Sequence, residues 1–192
     1  RGLLDTRNCL ESVLAAPAGI EFRIIAIDDC SPEPEVSAYL DELAELGRIT
    51  LLRNEINLGF VQTVNRGMEL SGDNDVLLLN SDTVVANDWL ARIQSCAYAD
   101  KNIGTVTPFS NNATICSYPN FCTDNTLDSL LSLADLDLLF ARINSGLYLD
   151  IPTAVGFCMY IRRDCLRNVG LFDAEHFGKG YGEENDFSVR AA

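Results

Sequence analysis

Three groups of acidic side chains close three stretches of this chain: Asp28-Asp29 after Phe22-Arg23-Ile24-Ile25-Ala26-Ile27, Asp82 after Val76-Leu77-Leu78-Leu79-Asn80-Ser81, and Glu183-Glu184-Asn185-Asp186 after a glycine-rich segment. The middle group says most about chemistry. Four apolar residues in a row suit a strand buried on both faces of a parallel sheet. Asn80, Ser81 and Asp82 then stand just past its carboxyl end, where open α/β sheets bind their ligands. A buried carboxylate without a counter-charge costs several kcal/mol, and Asp82 has no basic residue near it in sequence, so a bound cation is its expected partner. Each group also has a plainer reading. Asp28 or Asp29 can cap a turn with Ser31 and Pro32, Asp82 can cap a turn with Thr83, and the Glu183 cluster can favour the positive end of a helix dipole. Their joint placement favours chemistry, because right-handed crossovers bring all three to one edge of a sheet.

The elements that must position them alternate. A helix is expected over residues 6–16, capped by Asp5 or Thr6 with Leu10, Val13 and Leu14 on one face. A strand follows over 22–27, then a helix from about 33 to 46 ended by Gly47, a strand over 49–52 and a polar loop over 54–59. Next come a helix over 60–70, the strand over 76–79 and a helix over 87–98. After Gly104 the pattern loosens into a short strand over 105–107 and a loop over 108–126, rich in Asn, Ser and Thr and of a length that usually carries function or mobility. A leucine-rich amphipathic helix is expected over 127–143, a strand over 154–161, a short helix over 162–169 closed by Gly170, a Gly-rich loop over 171–182 and a last helix from Glu183. Trp89 and the leucines of 127–140 are assigned to the core. The fold class is α/β: one domain over 1–192, a Rossmann-like, mainly parallel sheet with helices on both faces. A chain that opens on a helix, where such a sheet normally opens on a strand, is expected to be a piece of a longer protein lacking its first strand.

With 192 residues and 47% hydrophobic side chains a substantial core is within reach, and the formal charge of -14 argues against a nonspecific nucleic-acid binder. No apolar run approaches the roughly 18 residues of a membrane span, so a soluble domain is expected. Any anionic substrate must be met locally, by a metal ion, a helix N-terminus or single Arg side chains. The seven cysteines, at 9, 30, 96, 116, 122, 158 and 165, form no CxxC pair and read as free thiols of a reducing compartment. Cys116 and Cys122, both in the long loop, are the pair to inspect for a bond.

Four segments carry a family resemblance, in order along nearly the whole chain. They are Ile27-Asp28-Asp29-Cys30-Ser31; Asn57-Leu58-Gly59-Phe60; Leu79-Asn80-Ser81-Asp82-Thr83; and the stretch from Gly156-Phe157-Cys158-Met159-Tyr160-Ile161-Arg162-Arg163 through Gly170-Leu171-Phe172-Asp173 to Gly182-Glu183-Glu184-Asn185-Asp186-Phe187. They resemble, respectively, the Asp-Asp-x-Ser strand end, the Asn-x-Gly-Phe loop, the Asp-x-Asp motif and the acceptor-side segment ending in Glu-Asp-x-Asp-Leu of the family 2 glycosyltransferases of the GT-A fold, which build polysaccharides from nucleotide sugars. The Asn-Ser-Asp-Thr variant is most similar to rhamnosyltransferase-like members.

The resemblance implies a metal-dependent inverting transfer of a sugar from a nucleotide donor, a UDP- or dTDP-sugar, to a hydroxyl of a saccharide or lipid-linked acceptor. Residues 1–103 would form the nucleotide-sugar half and 104–192 the acceptor half. Asp28 and Asp29 would contact the base or ribose, and Asn57, Gly59 and Asn80 would line the donor crevice. Asp82 would hold Mg²⁺ or Mn²⁺ against the diphosphate, since a hard, oxygen-liganded ion neutralises that leaving group. Glu184 falls at the position of the general base, with Glu183 before it as the alternative and Asp186 after it; the family's usual residue there is Asp, one methylene shorter. Asn80 likewise replaces the first Asp of Asp-x-Asp. His176 reads as an exposed or hydrogen-bonded loop residue rather than a ligand, and the glycines of 178–182 as a loop able to close over the substrates. A cytoplasmic site is expected, at the inner face of a membrane if other parts of the protein bind there. Two rivals stand beside this reading: a nucleotide-sugar-binding domain that has lost turnover, and a nucleotidyltransferase, for which the basic Gly-rich phosphate loop is missing.

Overall fold

The computed structural model describes residues 2–17, 19–127 and 130–192. Strands β1 (Ile25–Asp28) and β2 (Thr50–Arg53) pair in parallel, Ile25 opposite Thr50 and Asp28 opposite Arg53. Helix α2 (Pro34–Glu45) joins them, opening on Pro34, whose missing N–H is harmless in a first turn. Its Val36, Tyr39, Leu40 and Leu43 form the helix-spaced stripe that packs on Leu10 of α1 (Leu3–Ala15) and on Ile49. Thr6, one of the two expected caps of α1, lies buried inside that helix, which starts after Gly2.

The second sheet has β5 (Cys158–Ile161) in its centre, antiparallel to both β3 (Val76–Leu79) and β4 (Thr105–Val106). All four β5 residues are buried, and strand alternation divides them. Cys158 and Tyr160 join Val13, Leu90, Ile93 and Ala97 under α1 and α4 (Trp89–Ala97). Met159 and Ile161 join Val61, Met68, Leu166 and Phe187 under α3 (Phe60–Leu70), α6 (Arg163–Val169) and α8 (Glu183–Ala191). Helices tie the two sheets together on both faces. On one, α3 lays Val61 and Met68 over Leu78 and sets Gly67 so close to Ile27 that an added Cβ would lie 3.2 Å from its Cδ1. On the other, α1 puts Leu10 with Ala26 and Val13 with Leu77 and Leu79. The expected α/β architecture with helices on both faces is therefore present. The parallel order holds for β1 and β2, while β5 runs against its neighbours because it returns from β4 through the long excursion of 108–157.

At the amino end of β3, Asp75 accepts hydrogen bonds from the Tyr98 and Tyr160 hydroxyls at 2.8 and 2.5 Å and from the Arg163 amide at 2.7 Å. This pins the sheet at the end away from Asp82.

Two expectations for the second half change. The 108–126 loop is tied down by Asn125, 5% exposed, which donates to the carbonyls of Asn111, Asn120 and Thr123 and accepts from Asn120. The leucines of 127–140 do not form core. Helix α5 spans Leu133–Ile143, starts on Ser132, whose hydroxyl accepts from the Asp135 amide, and contains no buried residue. Leu138, Leu139 and Ile143 are exposed. The helix docks through Phe140, edge-on to Phe109 and Tyr118, and through Asp137, which accepts from Arg92 and Asn87. Leucines on every side of a helix exceed what one docked stripe can bury. Residues 128 and 129 of the expected helix lie outside the described residues. Trp89 is buried as expected. The seven cysteines are unpaired, Cys116 and Cys122 included, and Cys30 is exposed. Among the described residues no helix is long and apolar enough to cross a membrane. One more short helix, α7 (Ala174–Phe177), interrupts the Gly-rich 171–182 loop.

Candidate active site

The end of β1 is consumed by internal hydrogen bonds. Asp28, 4% exposed, accepts from the Ser31 amide at 2.9 Å, the Ser37 hydroxyl at 2.7 Å and Arg53 Nε at 3.5 Å. Asp29 accepts from Asn54 Nδ2 at 2.6 Å, the Leu58 amide at 2.8 Å and the Gly59 amide at 2.9 Å, while Asn57 Nδ2 donates to the Asp29 carbonyl at 3.2 Å. For both carboxyls burial pushes upward, yet the donors around them outweigh it and hold each below the ordinary aspartate range. Asp29 thus builds the 54–59 loop, while Asp28 holds the 31–37 turn and the start of α2. Asn54, which sequence reading passed over, is the buried bridge of that arrangement, donating also to Thr63 Oγ1 at 3.0 Å.

Gly59 is required, though by the chain itself. It precedes α3 at φ +81°, and a Cβ there would meet the Lys179 backbone Cα at 2.7 Å. The Phe60 amide completes the contact by donating to the Lys179 carbonyl at 3.1 Å. The 178–182 loop is thereby seated on the amino end of α3. His176 is turned away from it, 74% exposed and bonded through Nδ1 to Asp173 at 2.7 Å.

Beyond β3, Asn80 and Thr83 close a turn through the Thr83 amide at 3.0 Å, leaving Asp82 exposed at its tip. The buried Cys9 donates to the Asn80 carbonyl at 3.4 Å. Burial raises that thiol to about 11, the Thr83 backbone pulls it down, and the Asp82 charge pushes it up.

Two consecutive residues join this turn to the last acidic cluster. The Asn80 amide donates to the Phe157 carbonyl at 2.8 Å, and the Gly156 amide donates to Glu184 Oε1 at 3.1 Å. A Cβ on Gly156 would lie 2.3 Å from that oxygen, so the glycine, unremarked as a site residue in the sequence, is what admits the carboxylate. Glu184 is half-buried in the first turn of α8, where unpaired amides favour an anion. Glu183 beside it is 3% exposed. Burial raises its carboxyl above the usual range, the amides of Glu183 and Tyr181 lower it in part, and the neighbouring Glu184 raises it further. Asp186 is engaged elsewhere, accepting from Arg190 at 2.7 Å, and Arg190 in turn binds the carbonyls of Val169 and Leu171. Preceding the cluster, Gly180, Tyr181 and Gly182 all have positive φ, and Tyr181 at +77° is wholly exposed. A tyrosine in that region is strained, a state that concentrates at functional sites; its place between two glycines was the available signal.

Contacts therefore link Asp29 to Gly59, Gly59 to Lys179, Glu184 to Gly156 and Phe157 to the Asn80 turn that carries Asp82. Among the described residues no three metal-ligating side chains gather into a preformed cage.

No curated protein shows significant sequence similarity to the chain. Two solved structures share its fold. The crystal structure of GalNAc-T7 with UDP, GalNAc and Mn²⁺ superposes with a TM-score of 0.72 at 18% identity, over 100% of this chain and 38% of that one. The mannosyltransferase PcManGT from Pyrobaculum calidifontis, in complex with GDP-Man and Mn²⁺, superposes at 0.65 and 14% identity, over 98% and 48%. This chain thus spans less than half the length of either. The fold is that of the GT-A glycosyltransferases. The family model for glycosyl transferase family 2 matches residues 4–170, and the chain belongs to that family.

Proposed function

We propose that this chain is the catalytic domain of an inverting glycosyltransferase that passes a sugar from a nucleotide donor to a hydroxyl of a saccharide or lipid-linked acceptor in polysaccharide assembly. The observation that carries the reading is the Glu184 carboxylate, fixed by the Gly156 amide at the amino end of α8, two residues in contact terms from the Asp82 turn. Residues 1–103 supply the donor side, with Asn57, Gly59 and Asn80 at its crevice, and 104–192 the acceptor side. Asp28 and Asp29 stand at the base or ribose end of the donor, Asp28 holding the 31–37 turn there and Asp29 the 54–59 loop.

The chemistry then runs as one displacement. The acceptor hydroxyl oxygen attacks the anomeric carbon as its proton passes to Glu184, the bond to the diphosphate breaks, and its electron pair leaves with the nucleoside diphosphate. General-base assistance of this kind is worth about 10² to 10⁴ in rate. A divalent cation fits the donor set here as a site shared with substrate: one exposed carboxylate, Asp82, with diphosphate oxygens and water completing the shell, as hard cations accept. Mg²⁺ or Mn²⁺ held there would neutralise charge on the departing diphosphate. The solved relatives carry UDP in one case and GDP-Man in the other. A UDP- or dTDP-sugar, in a rhamnosyltransferase-like reaction, follows from the Asn80-Ser81-Asp82-Thr83 variant. The unpaired cysteines suit a reducing, cytoplasmic site at a membrane's inner face.

The test is transfer and donor hydrolysis with a panel of UDP-, dTDP- and GDP-sugars in Mn²⁺, on wild type and Glu184→Gln. Turnover lost in the variant with donor binding intact is the expected result. Binding without turnover in both proteins identifies a donor-binding domain instead, and full activity in the variant removes Glu184 from the role of base.

A further inference from the structure

Glu183 leaves one carboxyl oxygen with nothing to satisfy it unless the group carries a proton. The side chain is 3% exposed, and its Oε2 is sealed from solvent with no hydrogen-bond donor to satisfy it. Such an orphaned buried oxygen demands an explanation. Next to it in the chain stands the carboxyl of Glu184, a second acceptor that pushes it towards the neutral form, and two facing acceptors satisfy one another only when a hydrogen sits between them. Among the described residues the basic groups of the neighbouring helices are bonded elsewhere, Arg163 to Ser71, Arg167 to Asp73, His176 to Asp173 and Arg190 to Asp186. The 178–182 loop reaches Glu183 through Gly180, where an added Cβ would lie 3.8 Å from Glu183 Oε1 and 3.7 Å from Phe60, and through the Tyr181 amide, which with the amide of Glu183 itself favours the ionised form without outweighing burial and the adjacent acid. Of the titratable groups on the packed elements, Lys179 belongs to the loop that abuts Gly59, Tyr181 points fully into solvent, Asp29 is spent on the 54–59 loop, and Asp186 is held by Arg190. Residues 154–157 and the first turn of α3 bear no charge.

We propose that Glu183 is held as a neutral carboxylic acid whose O–H donates to the Glu184 carboxylate, making it the positioning residue of the base. With the Gly156 amide on Oε1 and the Glu183 hydroxyl as second donor, Glu184 is locked in one rotamer and kept ionised beside the acceptor. Burial and the adjacent acid both act in the direction this requires. The same geometry decides between the two candidates for the base, because no acceptor hydroxyl can reach a sealed Glu183 Oε2. This inference rests on the proposed glycosyl transfer for its kinetic consequence, although the proton itself does not.

Two measurements separate them. An infrared titration of the protein at neutral pH should show a carboxylic-acid carbonyl band that disappears in Glu183→Gln. In the transfer assay, Glu183→Gln, whose amide still donates, should lower kcat by about 3- to 10-fold with the donor KM unchanged, against about 10²- to 10⁴-fold for Glu184→Gln. The alkaline fall in wild-type kcat, where Glu183 ionises and repels Glu184, should be missing from the Glu183→Gln profile. A wild type without the acid band, or a band that survives Glu183→Gln, overturns the assignment. So does a Glu183→Gln loss as large as that of Glu184→Gln, which would make Glu183 the base. If the band behaves as stated but no donor is turned over by wild type, the proton assignment stands and the transferase reading fails.

Discussion

The Gly156 amide donates to Glu184 Oε1 across 3.1 Å, and a methyl group on Gly156 would sit 2.3 Å from that same oxygen. The contact leaves no room for any side chain at position 156. Since Phe157, the next residue, accepts from the Asn80 amide at 2.8 Å, one dipeptide sets the distance between the carboxylate at the start of α8 and the turn that carries Asp82.

Gly156→Ala therefore displaces Glu184, whose side chain is the flexible partner of the contact, ahead of the backbone that holds the Asn80 turn. A misplacement of about 1 Å in a reacting group costs on the order of 10²-fold in rate. Steady-state kinetics should show kcat reduced to that extent at an unchanged donor KM, and a variant with wild-type kcat would sink the positioning role of this contact.

The ends of β1 set an acid limit to stability. Asp28 and Asp29 titrate below their unfolded value of about 3.9 in the native protein, burial notwithstanding, because their hydrogen-bond donors prefer the ionised form. The native state thus binds fewer protons than the unfolded chain, so this stabilisation is complete above the unfolded value and lost as pH falls through the folded one. Urea unfolding followed from pH 6 downward should show the midpoint dropping once the pH passes below about 4. Asp28→Asn should cost about 1–3 kcal/mol at neutral pH and flatten that drop. An Asp28→Asn protein with the wild-type pH slope contradicts this account.

The first half of the chain was legible because its signals are local. Helix spacing in α2, the four-residue apolar run of β3 and the Gly59 start of α3 each follow from a few neighbouring residues, and the structure returns them within a few positions. The candidate site was legible in part. Asp82 and Glu184 could be placed at element ends, but that Asp28 and Asp29 spend their oxygens on Ser37, Asn54 and Gly59 depends on contacts across distant sequence. The same holds for Gly156 against Glu184. The excursion 108–157 was least legible, since leucine content foretold burial while only tertiary packing decides which side of α5 is covered.

That last difference is measurable. Phe140 lies 4.9 Å from the Phe109 ring and 5.1 Å from the Tyr118 ring, whereas Leu138 is 53% exposed on the same helix. Leu138→Ala should change stability by no more than about 0.5 kcal/mol. Phe140→Ala, which removes the aromatic lock between α5 and the 108–126 loop, should cost about 2 kcal/mol or more. Equal losses at both positions would mean that α5 buries the face assigned here to solvent.

Asp82 is exposed at the tip of the Asn80–Thr83 turn, where a cation carried by the substrate can reach it. Asp82→Asn keeps the shape and removes the charge that a hard cation prefers. Calorimetric titration of UDP with and without Mn²⁺ should show that metal strengthens binding to wild type, and that the gain falls by about tenfold or more in the variant, as loss of about 1.4 kcal/mol from one ligand contact would give. Binding without metal should be the same in both proteins. Because no second and third acid stand ready beside Asp82 among the described residues, the diphosphate must bring much of the coordination itself. Mn²⁺ alone should therefore bind weakly to either protein. A metal-dependent gain that survives Asp82→Asn would move the cation to another part of the rim.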